Sequence, residues 1–269
     1  MKEILLVSDK GGTGKTTLMK MLVEIVGGNS VYADCTFTST WPHITDIIQE
    51  DIYYMGQEAV LNEYLCIGCG DCEEACKFRA IRMMRGLPQI LKQNCTGCGH
   101  CTQICPSDAL SLKDVIAGKI VQKRVKDAII VYGTLQYYPK NGIRPVRVVR
   151  DKAWNVLISY QKKMLISEAY PGWTRLTLSL VPFANLLMPI IEPHPQVFDF
   201  LNNIKEYIAI YKTNVALIIN KYDLNKKITD KIYTTYNDWK ILSIPYSETY
   251  MNNFIDELKN FILPFIGEM

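Results

Sequence analysis

Eight of the nine cysteines fall into two runs that share one spacing, Cys-x-x-Cys-x-x-Cys-x-x-x-Cys. The runs consist of Cys66, Cys69, Cys72 and Cys76, and of Cys95, Cys98, Cys101 and Cys105. This spacing is typical of a pair of four-iron, four-sulfur (4Fe–4S) clusters in which the fourth cysteine of each run ligates the other cluster. One cluster would therefore take the first three cysteines of the first run with Cys105, and the other would take those of the second run with Cys76.

Zinc is the main competitor for these thiols, because Cys-x-x-Cys pairs also form tetrahedral sulfur sites. A zinc site would leave the other cysteines of each run, and their repetition 29 positions apart, without a reason. With Pro106 after its last cysteine, the segment resembles bacterial two-cluster ferredoxins, although Lys77 replaces the corresponding proline of the first run. We expect His100 to be a surface neighbour of the cysteines and Cys35 to be a small buried residue.

A second motif, Gly-Gly-Thr-Gly-Lys-Thr-Thr at residues 11–17, could bind phosphate. An apolar run precedes it and a helical pattern follows it, which is the strand–loop–helix context of a phosphate-binding loop. We expect Lys15 to neutralise the β and γ phosphates and Thr16 to hold magnesium. The nucleotide-binding residues expected from this loop are Gly11, Gly12, Thr13, Gly14, Lys15, Thr16 and Thr17.

Lys10 precedes Lys15 by five residues, which gives the deviant Walker motif Lys-Gly-Gly-Thr-Gly-Lys-Thr-Thr. In this motif the chain resembles the ATPase family of MinD, ParA, Mrp and the nitrogenase iron protein. The resemblance implies that Lys10 reaches the phosphates of a partner subunit, so that the chain forms a homodimer when nucleotide is bound. The alternative is that Lys10 is a solvated turn residue.

Other stretches resemble the same family in the expected order. They are residues 33–42 (first switch), 165–173 (second switch), 186–195 (the strand and loop that follow), 218–224 (base-binding turn) and 243–248 (end of the last strand). The base-binding turn adds Asn220 to the expected nucleotide site. The resemblance implies ATP with magnesium, but Asn-Lys-Tyr-Asp from residue 220 also resembles the guanine-reading motif of GTPases, so that GTP is not excluded.

Two positions depart from the family pattern. The first switch of the family carries Asp-x-Asp, whereas here Asp34 is followed by Thr36, whose hydroxyl has neither the charge nor the basicity of a carboxylate. Glu168 stands where the second switch carries an aspartate beside the magnesium. The candidate catalytic residues are Lys10, Lys15, Asp34 and Glu168. We expect a slow ATPase at most, because nucleotide binding is better supported than rapid hydrolysis.

The rest of the chain must position these motifs. Apolar strand patterns that alternate with amphipathic helical patterns occur at residues 4–7, 30–35, 163–169, 184–191, 215–220 and 240–246. This alternation predicts an α/β fold with a mostly parallel phosphate-loop sheet flanked by helices. Residues 61–113 interrupt the alternation, so we expect a small inserted α+β ferredoxin-like domain there and an ATPase domain formed by residues 1–60 and 114–269. A hairpin is predicted around Asn141-Gly142.

Composition and charge exclude few functions. The chain has 30 Lys and Arg against 27 Asp and Glu, and its net charge of +3 does not indicate a nucleic-acid partner. The N-terminus lacks the apolar core of a secretory signal, and residues 176–191 are too short and too interrupted by proline to span a membrane. We therefore expect a cytoplasmic protein whose cysteines stay reduced.

Together these features favour a nucleotide-gated electron carrier with a redox partner protein. One alternative is an assembly or carrier ATPase like Mrp, which would deliver iron and sulfur to an acceptor protein. A second is a binding module with a degenerate ATPase, suggested by Thr36 and Glu168. Residues 113–152 contain ten Lys or Arg against three Asp, which predicts either a dock for an acidic redox partner or a solvated rim.

Overall fold

The computed structural model of this chain describes residues 1–37, 46–136, 143–246 and 251–266. The chain divides into two compact units. Unit 1 comprises Met1–Asp51, Lys119–Leu135 and Lys140–Met269, and unit 2 comprises Ile52–Gly118 and Gln136–Pro139. The predicted insert, residues 61–113, lies within unit 2, and its exact boundaries remain a prediction.

The strands of the described residues are numbered in chain order. They are β1 (Lys2–Val7), β2 (Ser30–Asp34), β3 (Ile47–Leu61), β4 (Ile81–Met84), β5 (Leu87–Ile90), β6 (Leu110–Val125), β7 (Ala128–Leu135), β8 (Met164–Glu168), β9 (Leu186–Ile191), β10 (Asn214–Asn220) and β11 (Lys240–Ile244). The helices are α1 (Lys15–Val26), α2 (Asp71–Glu74), α3 (His100–Gln103), α4 (Ile143–Ser159), α5 (Arg175–Leu178), α6 (Val197–Tyr211), α7 (Lys226–Thr235) and α8 (Met251–Ile266).

Nine strands form one sheet in the order β11-β10-β9-β1-β8-β2-β7-β6-β3. In this sheet β1 pairs in parallel with β8 and β9, β2 with β7 and β8, and β10 with β9 and β11. Strands buried on both faces read as continuous apolar runs, as Ile4 to Val7 of β1 do. The α/β fold class expected from the sequence is therefore confirmed.

Helices cover the sheet through their apolar faces. Leu18 and Leu22 of α1 and Phe254 and Leu258 of α8 are buried in the same core as Ile4 of β1. Helix α4 packs against β2, β7 and β8. Residues that recur every three or four positions on a helix share one face, so each of these helices buries a continuous stripe. This packing fixes the strand ends on which the candidate site depends.

The hairpin predicted around Asn141-Gly142 is wrong over the residues that can be compared. Asn141-Gly142 lies outside the described residues, but the following segment, which includes the predicted second strand, forms α4. A proline in the first turn of a helix removes no internal hydrogen bond, so Pro145 is compatible with α4. Buried apolar residues of the helix follow a helical spacing, and they include Val146, Val149, Ala153, Val156 and Leu157.

Unit 2 contains the two cysteine runs, α2, α3 and an antiparallel pair formed by β4 and β5. Its small core consists of Cys72, Ile81 and Leu110, with other cysteines packed against it. In the part of the chain that the structure describes, no helix is both long and apolar enough to cross a bilayer.

Candidate nucleotide and iron–sulfur sites

The residues expected to bind nucleotide gather at the carboxyl ends of parallel strands in unit 1. The phosphate loop follows β1, whereas Asp34 ends β2, Glu168 ends β8 and Asn220 ends β10. In open α/β sheets this edge is where ligands bind, in the crevice formed where the strand order reverses. Here β1 lies between β8 and β9, so the phosphate loop occupies such a position.

The phosphate loop is shaped by its glycines and by one distant amide. Gly14 has a φ of 101°, in the left-handed region, and a Cβ atom there would lie 2.8 Å from Nδ2 of Asn220. That Nδ2 atom donates a hydrogen bond to the backbone oxygen of Thr13 at 2.9 Å. A Cβ atom on Gly11 or Gly12 would meet no heavy atom of the described residues within 4 Å. The loop is therefore held from one side and leaves room on the other for a ligand.

Lys15 is buried at the start of α1, and its Nζ donates to Oγ of Ser8 at 2.5 Å. An ammonium has three donors, and Ser8 accepts one of them. Burial lowers the pKa of Lys15, and the attraction of three nearby carboxylates acts in the opposite direction. These carboxylates belong to Glu168, Asp9 and Asp34. A buried cation close to open glycines is a suitable counterion for phosphate.

Thr16 and Glu168, which are expected to lie beside magnesium, contact each other. Oγ1 of Thr16 donates to Oε1 of Glu168 at 2.7 Å. Burial of Glu168, followed by the negative charge of Asp34, raises the pKa of Glu168 to about 7. Among the described residues, Oε2 of Glu168 and Oγ1 of Thr13 are buried and lack a hydrogen-bond partner. Buried polar atoms of this kind are costly unless a ligand or water satisfies them, so these residues fit a magnesium–nucleotide complex.

Asp34 and Thr36 bond to each other beside this position. Oδ1 of Asp34 accepts hydrogen bonds from the backbone N–H of Thr36 at 2.9 Å and from its hydroxyl at 2.6 Å. Burial raises the pKa of Asp34, although these bonds oppose the effect. The Thr36 hydroxyl therefore acts as a hydrogen-bond donor to the carboxylate. Cys35, between them, is fully buried.

Lys10 forms an ion pair within its own chain. Its Nζ lies 3.0 Å from Oε2 of Glu192, and Nζ of Lys221 lies 2.6 Å from Oε1 of the same carboxylate. Burial alone would raise the pKa of Glu192, but the two lysines outweigh it and lower the pKa. The Lys10 side chain is 45% exposed. Its expected reach toward a partner subunit remains a prediction.

A cavity of about 580 Å³ lies next to the phosphate loop. Its lining includes four of the residues expected to bind nucleotide, which are Gly12, Gly14, Thr17 and Asn220. Apolar side chains such as Ile190, Ile218 and Phe254 form other parts of its wall. Small-molecule pockets typically enclose roughly 300–1,000 Å³ and combine apolar walls with a few polar groups. The cavity therefore suits the base and sugar of a nucleotide whose phosphates lie over the loop.

Two unpredicted side chains support the phosphate loop, in addition to Ser8. Oδ2 of Asp9 lies 2.5 Å from Nε2 of His194, and the other ring nitrogen of His194 lies 3.0 Å from Oε1 of Gln196. Asp9 immediately precedes Lys10, so its place in the loop could have been noticed from the sequence. His194 follows β9, 185 residues away, and no spacing rule indicates that contact.

The two cysteine runs of unit 2 have the same backbone conformation. Helices α2 and α3 each begin after a glycine with positive φ, 88° at Gly70 and 77° at Gly99. Two residues earlier, Gly68 and Gly97 have φ values of 71° and 68°. A Cβ atom on Gly97 would lie 2.2 Å from the backbone oxygen of Gln57, so that only glycine fits there. The sequence repeat is thus also a structural repeat.

Backbone N–H groups approach the fourth sulfur of each run in the same way. The N–H of Ala80 donates to Sγ of Cys76, and the N–H of Ala109 donates to Sγ of Cys105, both at 3.3 Å. Burial would raise the pKa of Cys105, but hydrogen bonds from the Ser107 and Ala109 backbone outweigh it and lower the pKa. Such bonds favour the thiolate form that binds iron.

A cavity of about 260 Å³ in unit 2 is lined by cysteines from both runs. They are Cys76, Cys95, Cys98 and Cys101, the set expected to ligate one cluster. His100 is exposed and also lines this cavity. Burial and the neighbouring thiols of the second run raise the pKa of Cys101, with a smaller effect from Cys76. Four convergent soft thiols around one space fit a 4Fe–4S cluster.

The other cysteines group around Cys72. Burial raises the pKa of the Cys72 thiol, and the nearby thiols of Cys69 and Cys66 add to the effect. Cys105 packs against the small core that contains Cys72. Among the described residues, no three His, Cys, Asp or Glu are close enough to hold a single metal ion. The cysteines of a four-iron cluster bind different iron atoms and stand farther apart than the ligands of one ion.

The basic excess of residues 113–152 is partly neutralised within unit 1. Among the side chains of this segment that the structure describes, four cations form ion pairs, which are Lys119–Glu50, Lys126–Glu24, Arg150–Glu3 and Lys152–Asp51. Arg150 is also buried, with hydrogen bonds to both oxygens of Glu3. Paired cations attract a partner less than free ones do, so this pattern favours the solvated rim over a dock for an acidic protein.

Comparison with known proteins covers both units. Residues 59–112 match the family model described as a 4Fe-4S dicluster domain. A structure from Borrelia burgdorferi B31, described as a plasmid partition protein bound to AMPPNP, has a TM-score of 0.53 and 13% identity over 98% of both chains. The fold is that of the MinD and plasmid-partition ATPases.

Two more solved structures show the same P-loop ATPase fold. A second plasmid partition protein structure from Borrelia burgdorferi has a TM-score of 0.52 and 12% identity over 98% of this chain and 99% of the other. The MinC:MinD cell division complex of Aquifex aeolicus has a TM-score of 0.50 and 12% identity over 100% and 97%. No curated protein sequence matches the chain. The chain thus combines a MinD/ParA-type fold with a dicluster domain.

Proposed function

We propose that this protein is an ATP-controlled electron carrier with two resident 4Fe–4S clusters. The observation that carries the proposal is the presence, in one chain, of a P-loop cradle with unsatisfied buried oxygens and of a cavity lined by cysteines from both runs. A nucleotide site and a redox site joined by one chain can be thermodynamically linked, because each ligand changes the affinity or reactivity at the other site.

The nucleotide site follows from the residues around the phosphate loop. Lys15 would neutralise the β and γ phosphates, and the backbone of Gly11, Gly12 and Gly14 would cradle them. Thr16 and Glu168 would hold magnesium, which neutralises phosphate charge when bound. The Borrelia burgdorferi protein with this fold was solved with AMPPNP, which supports a triphosphate ligand.

We infer ATP in preference to GTP from the environment of Asp223. A guanine-reading aspartate must turn its carboxylate toward the base, but Oδ1 of Asp223 accepts a hydrogen bond from the backbone N–H of Tyr246 at 2.7 Å. Asp223 is also not among the described residues that line the cavity beside the phosphate loop. Asn220 is bonded to the loop backbone, so its amide is committed to shaping the cradle.

Hydrolysis is expected to be slow, because the first switch offers no carboxylate at position 36. Thr36 offers only a neutral hydroxyl, which is a poor base for water, and this hydroxyl donates a hydrogen bond to Asp34. In the metal-free site, burial raises the pKa of Glu168 to about 7, so Glu168 is partly protonated at neutral pH until a cation binds. Bound ATP would then remain in the site for long enough to keep the protein in its ATP-bound conformation. Release of Lys10 from Glu192 toward the phosphates of a second copy would give the nucleotide-dependent homodimer.

The eight cysteines would hold their clusters permanently. One cluster takes Cys105 with the first three cysteines of the first run, and the other takes Cys76 with those of the second run. Bound clusters supply single-electron chemistry. A complete set of thiol ligands within one chain favours retention over delivery, which distinguishes this function from that of a cluster carrier.

The test measures electron transfer from anaerobically prepared protein that has been reduced with dithionite. Reduction of cytochrome c, a one-electron acceptor, is followed without nucleotide, with ATP and with AMPPNP. We expect the rate to change with either nucleotide in the wild-type protein. At a nucleotide concentration that saturates only the wild-type protein, the rate should not change in Lys15→Ala, whose affinity for nucleotide should be about 10- to 100-fold lower. Equal rates with and without nucleotide in the wild-type protein would contradict nucleotide control.

A further inference from the structure

The two cysteine runs share a backbone but present different apolar surfaces. Beside the first run, three large apolar side chains are exposed, namely Tyr64, Leu65 and Ile67, at 100%, 49% and 69% of their surface. The equivalent positions of the second run, 29 residues later, carry the polar residues Gln93, Asn94 and Thr96. Clustered exposed apolar side chains are unfavourable in water and commonly mark a surface that another molecule covers.

The acidic residues also differ between the two runs. Four exposed acids lie in the first run or just before it, and they are Glu63, Asp71, Glu73 and Glu74. None of the four forms an ion pair with a residue that the structure describes. The equivalent positions of the second run carry Lys92, His100, Thr102 and Gln103, none of them acidic. Because the backbone is the same in both runs, the folding of the cysteine loops does not require these acids or apolar residues.

Each run has one exposed cysteine, Cys69 in the first and Cys98 in the second. Access to the sulfur ligands therefore does not explain the difference between the two surfaces. What distinguishes the first run is that exposed apolar residues and unpaired acids occur together in one short stretch of chain. Protein interfaces commonly combine apolar residues with polar ones.

We propose that this surface, the first-run surface, is the docking site for a redox protein with a basic face. It consists of the three apolar residues and four acids named above. This proposal rests on the electron-carrier function proposed above. It further specifies that the partner binds at the first run and that the partner's binding face is basic. The whole chain has a net charge of +3, so a basic protein would be repelled unless it is attracted locally. The expected partner charge is thus opposite to the one inferred from residues 113–152.

The test measures binding of oxidised cytochrome c, a basic redox protein, to the iron-loaded protein by titration calorimetry. We expect the affinity of the wild-type protein to fall between about 10 and about 150 mM salt, because surface charges are screened at higher ionic strength. The variant Glu73→Lys/Glu74→Lys should weaken binding at low salt by about tenfold or more. Replacing the apolar residues by their second-run equivalents, Tyr64→Gln/Ile67→Thr, should weaken binding at both salt concentrations.

The matched control is Asp230→Lys/Asp238→Lys, which changes the net charge by the same amount at exposed acids of unit 1. It should bind cytochrome c about as well as the wild-type protein. Iron content should be equal in all variants, which shows that each has folded and retains its cysteine ligands. Undetectable binding by the wild-type protein at low salt, or equal weakening by the control, would overturn the proposed surface.

Electron transfer to cytochrome c separates this proposal from the function on which it rests. If binding depends on the first-run surface but the reduced protein transfers no electron, the carrier function fails and the docking surface stands. If transfer occurs at the same rate in Glu73→Lys/Glu74→Lys, the carrier function stands and the surface is overturned. Self-association that this variant abolishes would instead show a second copy as the occupant, which also overturns the proposal.

Discussion

Unit 1 assembles its candidate site from the ends of several strands, whereas unit 2 builds its cysteine sites from two runs of eleven residues each. In unit 1, Thr16 and Glu168 meet although 152 residues separate them. In unit 2, the cysteines of a run lie within eleven residues, on a backbone that bends at glycines with positive φ. The difference teaches that the iron–sulfur chemistry is specified locally, while the nucleotide chemistry depends on the whole sheet.

The largest effect is expected from double cysteine variants, because they should remove one or both clusters. They test whether each cluster takes ligands from both runs. Crossed ligation places Cys76 and Cys98 in one cluster, so Cys76→Ala/Cys98→Ala should keep about four of eight iron atoms. It places Cys105 and Cys98 in different clusters, so Cys105→Ala/Cys98→Ala should lose nearly all iron. Iron and sulfide analysis of anaerobic samples measures both. Ligation within each run would reverse the two results.

The next effect concerns the buried acid of unit 1. Glu168 takes up a proton near pH 7 in the folded protein, against 4.5 as its ordinary value. The folded state therefore holds this proton over a range in which the unfolded chain releases it, and stability falls as pH rises from about 4.5 to about 7. Glu168→Gln should remove this loss and stabilise the nucleotide-free protein above pH 7 by up to about 3 kcal/mol.

Thermal unfolding midpoints at pH 5 and pH 8 measure the effect of Glu168→Gln. The exposed carboxylate of Glu206 on α6 provides the control, because Glu206→Gln should leave the pH dependence unchanged. A Glu168→Gln variant that gains no stability at pH 8 relative to pH 5 would show that the acid is not held protonated.

Loss of the P-loop lysine should weaken ATP binding in unit 1 without changing the iron content of unit 2. Lys15→Ala removes the buried cation at the phosphate position, and ATP affinity should fall about 10- to 100-fold, as expected for a hydrogen bond to a charged group. Iron content should not change, because all eight cysteines lie in unit 2. Lys163, an exposed lysine just before β8, provides the control, and Lys163→Ala should bind ATP normally. Iron loss in Lys15→Ala would show that the clusters need the phosphate loop in order to be retained, which contradicts the assignment of all cluster ligands to unit 2.

The smallest effect is expected from substitution of Gly14, the glycine immediately before α1. In Gly14→Ala the new Cβ would lie 2.8 Å from Nδ2 of Asn220 at a φ of 101°, so the amide must shift or the loop must strain, at a cost of about 1–3 kcal/mol. ATP affinity should fall about 10-fold in equilibrium titrations. Gly11→Ala, whose Cβ meets no described atom within 4 Å, shows whether filling the cradle itself weakens ATP binding. An unchanged affinity in Gly14→Ala would show that Asn220 does not shape the loop.

The locally specified features were predictable from the sequence. The cysteine spacing, the phosphate loop and the alternation of strands and helices each depend on residues close in the chain, and the fold class they predicted is confirmed. The predicted strands did not include β3, β6 or β7. Most of β3 is exposed and lacks a continuous apolar run, whereas β7 is a short buried apolar run that the prediction missed. They also misassigned α4, whose Val-Arg-Val-Val segment resembles a strand over a few residues.

Properties that depend on long-range packing could not be predicted. Glu168 was identified by its position in the second switch, but its raised pKa comes from burial and from Asp34 on a neighbouring strand. The pairing of Lys10 with Glu192 and of Asp9 with His194 likewise requires loops from β1 and β9 to meet. Sequence spacing carries no information about such encounters.

The most direct test of the proposed function is a single anaerobic preparation analysed for iron, sulfide, zinc and bound nucleotide. We expect about eight iron and about eight sulfide atoms per chain, with little zinc, and saturable binding of about one ATP per chain. Zinc in place of iron, or a P-loop that binds neither ATP nor GTP, would contradict an ATP-controlled carrier of two clusters.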